Sequence, residues 1–189
     1  MRILPIIAVG ILGSVITPTQ AQITNYLFPA PLTMLEAMDT NVSVVLLKGS
    51  TDAGSISADT GSVGVRCRQI TNTGTGEKEQ GIALEIAPRG QPRAMLLIDY
   101  DELPSLVSAI DYISKLDVTA TPLTSFDAAY TTKGGFRIAA LGTRSTGAIQ
   151  FGVRDARTLS IPVTFSRDQM SRLSDIINQA RGILDSLRH

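Results

Sequence analysis

"LLIDYDELPSLVSAIDYISKL" occupies residues 96–116, and "IPVTFSRDQMSRLSDIINQARGIL" occupies residues 161–184. Each begins with alternating apolar residues and then changes period. Leu96, Ile98 and Tyr100 alternate as a strand with one buried face does. Leu103, Leu106, Ile110 and Ile113 then recur at the spacings of three and four that mark an amphipathic helix. In the second stretch Ile161, Val163 and Phe165 alternate, and Met170, Leu173, Ile177 and Ala180 take up the helical spacing.

The two stretches are copies of one pattern. A shift of 65 positions lays Leu84, Ile86, Ala94, Leu96, Ile98 and Tyr100 on Ile149, Phe151, Leu159, Ile161, Val163 and Phe165. After an insertion of two residues, a shift of 67 lays Leu103, Leu106, Ala109, Ile110 and Ile113 on Met170, Leu173, Ile176, Ile177 and Ala180. The insertion falls where each helix begins. Ser166 is placed to cap the second helix, with Gln169 three positions on to complete a capping box. Asp101 is the expected cap of the first, with Pro104 in the first turn, where its missing N–H costs little.

Upstream of each helix the chain reads as a meander. The first copy has strands near 43–48, 62–71, 80–87 and 94–100, and the second near 125–132, 135–142, 147–154 and 158–165. Turn-forming stretches separate them, among them "TNTGTGEKEQG" at 71–81, "PRGQP" at 88–92 and "GTRSTG" at 142–147. "STDAGSISADTG" at 50–61 reads as a loop with a short strand at 55–59. Pro162 belongs at an edge or a bulge, because it cannot donate to a ladder. The fold class is α+β: two tandem antiparallel meander-plus-helix repeats, 43–118 and 124–189, each helix covering its own sheet. One copy alone is marginal in size, so 22–189 is expected to form one compact unit. Ile149, Ile161 and Ile176 are assigned to its core with their counterparts.

Residues 1–21 read as a secretory signal. Arg2 precedes an uncharged apolar run from Ile3 to Ile16, and small and polar residues lead to cleavage after Ala21. The run is shorter than the ~20 residues that span a bilayer. The expected location is therefore periplasmic or extracellular, in a bacterial envelope by default, with 22–42 as a lead segment and no membrane insertion of the mature chain. Asn41-Val42-Ser43 is a glycosylation acceptor triplet that matters only in a eukaryotic source.

The residues that usually carry chemistry are scarce. His189 is the only histidine and Cys67 the only cysteine, so no internal disulfide forms, and neither an imidazole-activated nucleophile nor tetrahedral zinc ligation is available. Cys67 alternates with Val63 and Val65 and reads as a buried small hydrophobe. "GTGEKEQG" at 74–81 lacks the spacing of a phosphate loop. Asp99, Asp101 and Glu102 cluster at the first strand-to-helix junction, with Asp99 expected in solvent and the other two favouring a helix start. Asp52 and Asp59 share a Gly/Ser stretch whose spacing matches no defined calcium loop. No cofactor or metal is expected.

Charge is the remaining signal. Residues 22–123 hold 7 Lys/Arg against 12 Asp/Glu, a balance of −5, and residues 124–189 hold 9 against 5, a balance of +4. Lys133, Arg137, Arg144, Gln150, Arg154 and Arg157 lie in or beside the hairpins of the second repeat. Arg137, Gln150 and Arg154 alternate away from apolar neighbours, so one sheet face gathers cations. The leading expectation is a non-catalytic exported domain that binds a protein partner or itself. The alternative is an anion binder, for single-stranded nucleic acid or an acidic polysaccharide, using that basic face. A hydrolase working with carboxylates alone is the remote one. Repeated four-strand-plus-helix units resemble, in topology, the PUR and Whirly single-stranded nucleic-acid binders. The resemblance rests on topology, carries no motif of theirs and transfers no site.

Overall fold

The computed structural model describes residues 33–188. The signal segment, the lead segment before Thr33 and His189 lie outside the described residues. A short helix α1 (Met34–Asp39) opens the described chain. The first meander follows, as β1 (Leu46–Ala58), β2 (Gly61–Asn72), β3 (Lys78–Pro88) and β4 (Ala94–Asp99). A single 3₁₀ turn (Tyr100–Glu102) leads into α2 (Leu103–Ser114). The second meander is β5 (Ser125–Thr131), β6 (Phe136–Thr143), β7 (Ala148–Asp155) and β8 (Val163–Phe165), followed by α3 (Arg167–Ser186). The strands form two separate antiparallel sheets, ordered β1-β2-β3-β4 and β5-β6-β7-β8. The α+β tandem repeat is thus present, with the sheets not continuous.

Three local expectations are corrected. The stretch 50–61 is not a loop: β1 runs through it to Ala58, with a bulge between Asp52 and Gly54. Its Ser, Thr and Gly residues lack an apolar alternation, yet β2 pairs along its length, and Ala53 and Ile56 are buried. The fourth strand of the second repeat shortens to three residues, because Pro162 cannot donate to a ladder. Leu159 and Ile161 consequently stand in solvent, Ile161 at 59% exposure, and the repeat fails at these two positions. Asp101 does not cap a helix. The 3₁₀ turn feeds straight into α2 without a side-chain cap, and Asp101 is exposed and ion-paired with Lys133. Ser166 caps α3 with Gln169 as the spacing predicts.

The helices sit differently from expectation: they are exchanged. α3 lies chiefly across β1 and β2 of the first sheet, and α2 lies against β5 and β6 of the second. A Cβ added at Gly54 would come within 3.2 Å of Ile176. The Cys67 thiol donates to the Ala180 carbonyl at 3.3 Å, and Gln169 Nε2 donates to the Ser57 carbonyl at 2.9 Å. The helices also bond to one another. Ser174 Oγ meets Asp111 Oδ1 at 3.3 Å, and the Arg167 guanidinium donates to the carbonyls of Ser114 and Leu116 at the end of α2. The inward rows of both sheets and both helices therefore make one continuous core. Ile149 and Ile176 sit at its margin, half-buried. Cys67 is buried within it, and burial pushes its thiol above the ordinary pKa, so it is held as a neutral hydrophobe.

A second, smaller core lies on the outer side of the first sheet. Leu35 and Met38 of α1 pack there on Ile70, Ala83 and Leu97. Thr33 and Glu36 form a reciprocal capping box at the start of α1. Asp99, expected in solvent, is 4% exposed, and its carboxylate accepts the Met34 and Leu35 amides at 2.8 and 3.1 Å. It satisfies helix N–H groups that would otherwise be buried without partners. Asp99→Ala is expected to cost about 2–3 kcal/mol, because charge-assisted bonds are lost and buried donors are orphaned. Chemical denaturation checks the loss, and faster hydrogen exchange confined to α1 checks its location.

Candidate anion-binding face

The outer face of the second sheet is built by alternation. Phe136, Ile138 and Ala140 of β6 point into the core, so Arg137, Ala139 and Leu141 point out. Phe151, Val153 and Asp155 of β7 are buried, so Gln150, Gly152 and Arg154 point out. The register sets Arg137 opposite Arg154, Ala139 opposite Gly152 and Leu141 opposite Gln150. β8 adds Thr164 opposite Gly152. The result is a shallow depression of about 220 Å³. Its floor is Ala139 and Gly152, and its long side is Pro162, whose ring would lie 3.3 Å from a Cβ at Gly152.

Two arginines directly opposed across strands repel each other unless something compensates. Arg137 has a compensating group: Asp127 of β5 receives its Nη2 at 3.4 Å. Arg154 makes no ion pair or side-chain hydrogen bond among the described residues. The face therefore keeps a net positive charge beside a small-residue floor. Among the described residues no aromatic side chain projects from it: Phe136 and Phe151 are buried, and Tyr130 points to the core side of β5.

The structure gathers three of the six residues singled out in the sequence and disperses the other three. Arg137, Gln150 and Arg154 line the depression. Lys133 sits in the turn before β6, where its N–H donates to Glu102 Oε1 at 2.9 Å and its ammonium meets Asp101 at 3.4 Å. Arg144 donates to the Pro122 carbonyl at 3.1 Å, tying a hairpin to the linker. Arg157 bonds Glu36 at 2.8 Å and Asp155 at 3.3 Å, joining α1 to the second repeat. These three cations answer carboxylates and carbonyls from distant parts of the chain, which spacing alone does not reveal. Sequence reasoning missed Asp127, Pro162 and Thr164. Alternation alone puts Ala139 and Gly152 on the same face as the arginines, but Pro162 joins them only through the β7–β8 pairing.

The carboxylates at the first junction are spread among separate duties. Asp99 caps α1, Asp101 pairs with Lys133, and Glu102 is buried at 9% exposure. Asp52 pairs with Arg66 across β1 and β2 at 2.5 Å. Among the described residues no group of three or more His, Cys, Asp or Glu could hold a metal ion.

Glu102 has a consequence for pH. Oε2 is buried without a partner among the described residues. Burial first, and the carboxylates of Asp99 and Asp101 after it, push the group above its ordinary value of 4.5, while the Lys133 amide and ammonium oppose the shift. A raised pKa means the folded state binds the proton more tightly than the unfolded state. The stability this contributes is present below the ordinary value and lost as pH rises through the folded one. Glu102→Gln removes the titration while keeping an acceptor for the Lys133 amide. The Tm difference between variant and parent is expected to move in the variant's favour from pH 4.5 towards 7, and a difference that stays flat contradicts it.

No family model and no curated protein matches the chain. Among solved structures it is similar to the crystal structure of WHY1 from Arabidopsis thaliana, with a TM-score of 0.34 and 13% identity over 70% of this chain and 89% of that one. It is also similar to the structure of the plant transcriptional regulator PBF-2, with a TM-score of 0.26 and 12% identity over 76% of this chain and 85% of that one. Likeness this distant carries no argument about the site. No described helix is long and apolar enough to cross a membrane.

Proposed function

We propose that the protein is a non-catalytic binding module that holds an anionic polymer by its charge on the outer face of the second sheet. One observation carries this reading. Arg137 and Arg154 stand directly opposite on β6 and β7, and only Arg137 has a carboxylate partner among the described residues. An anionic group seated between them relieves their repulsion and receives two guanidinium forks. Gln150 offers an amide beside them. With no aromatic platform among the described residues of the face, the polymer is read by charge rather than by base stacking. The expected setting is outside the cytoplasm, after removal of residues 1–21, where acidic polysaccharide is the accessible polymer and single-stranded nucleic acid the second candidate.

The test is fluorescence anisotropy with a labelled acidic polysaccharide and a labelled single-stranded oligonucleotide, each at low and high salt. The parent is expected to bind at low salt and release as screening increases. Arg137→Glu with Arg154→Glu is expected to weaken binding at least about tenfold, equivalent to about 1.4 kcal/mol. Lys133→Glu, away from the face, is expected to leave binding unchanged. A parent that binds neither probe, or a double variant that binds as the parent does, overturns the proposal.

A further inference from the structure

One carboxylate stands among the cations on the outer face of the second sheet. Phe126 and Tyr130 of β5 pack against the core. Asp127 and Ala129 therefore point out, beside Arg137, Ala139 and Leu141 of β6. The Asp127 side chain is 54% exposed. Among the described residues its only ion pair or side-chain hydrogen bond is the one with Arg137 at 3.4 Å.

The register makes that contact a long reach. Arg137 lies opposite Thr131, whereas Asp127 lies opposite Leu141, four residues further along β6. Four residues of strand rise about 13 Å. The Arg137 side chain therefore runs along the sheet instead of standing off it, across the rung where Ala129 faces Ala139. Two methyl side chains on that rung leave room for its stem. At its root Arg137 faces Arg154, but its guanidinium is drawn away along the depression, which both arginines line together with Asp127.

We infer that Asp127 is a built-in rival anion that sets the affinity of this face: an incoming anionic group has to take Arg137 from it. The inference rests on the anionic-polymer reading above and names what regulates that site. Arg154 is available to a ligand as it stands, having no carboxylate partner among the described residues. Arg137 becomes available only by changing partner, and the Asp127 carboxylate it leaves behind repels the ligand that displaced it. The Arg137–Asp127 contact is single, exposed and 3.4 Å long. A pair of that kind is weak and readily exchanged, so it lowers the affinity without closing the face.

Fluorescence anisotropy with fluorescein-labelled dextran sulfate at low salt tests it, on variants shown by thermal melts to be folded. Asp127→Asn is expected to tighten binding about threefold, the scale of one exposed ion pair. Asp52→Asn removes an equal charge from the pair with Arg66 on the first sheet, and is expected to leave binding unchanged. In an Arg137→Gln background the gain from Asp127→Asn is expected to disappear, because the two residues act as a pair. A gain that persists there is a general effect of net charge and overturns the inference. So does an Asp127→Asn variant that binds as the parent does, and in that case the parent's own binding leaves the anionic-polymer reading standing. A parent that does not bind removes that reading, and the inference falls with it.

Discussion

Residues 22–123 expressed alone are expected to show no cooperative melt, although they hold a complete four-stranded meander and its following helix. The inward row of that sheet, Ala53 and Ile56 on β1 with Val63, Val65 and Cys67 on β2, is buried in the full chain. Much of what buries it is α3, which belongs to the other half of the chain: Ile176 closes on Gly54, and Ala180 receives the Cys67 thiol. Without α3 these residues face water, and a fragment of this size has little other core to offset chain entropy. Supplying residues 124–189 in trans is expected to restore a folded complex. If each helix covered its own sheet, 22–123 would melt cooperatively by itself, and circular dichroism would show it.

Leu173→Ala is expected to cost about 2–5 kcal/mol, whereas Ile161→Ala is expected to cost about 0.5 kcal/mol or less. The sequence treats the two positions alike, as apolar members of one repeated pattern. Leu173 is fully buried on α3 in the core shared by both halves, so truncation leaves a cavity in close-packed surroundings. Ile161 is 59% exposed in the irregular segment before β8, where a missing side chain is replaced by water. Urea denaturation of the two variants reads the difference. Equal losses would contradict the exposure of Ile161.

The candidate site was half legible in the same way. Alternation along β6 and β7 depends only on backbone geometry, so it alone places Arg137, Gln150 and Arg154 on one face. Lys133, Arg144 and Arg157 sit in turns, where no period governs direction. Their partners Asp101, Pro122 and Glu36 come from elsewhere in the chain. Asp99 shows the opposite failure: its alternation points it away from the core, but α1 covers that side of the sheet. The "TMLE" box at 33–36, with Leu35 and Met38 as an apolar pair, was the available sign of that helix.

By itself the sequence determined the local periods: eight strands in two runs, a helix after each run, the Ser166 cap, a buried Cys67 and the outward arginines. Each follows from residues within a few positions of one another, whose propensities, alternation and capping act on the same short stretch of backbone. The tertiary structure alone decided which sheet each helix covers, that 50–61 is held as strand, and that Ile161 is excluded from the core. Those outcomes turn on competition for one limited buried volume between segments tens of residues apart, and the binary pattern of either segment is satisfied equally by its own partner or by the other copy's.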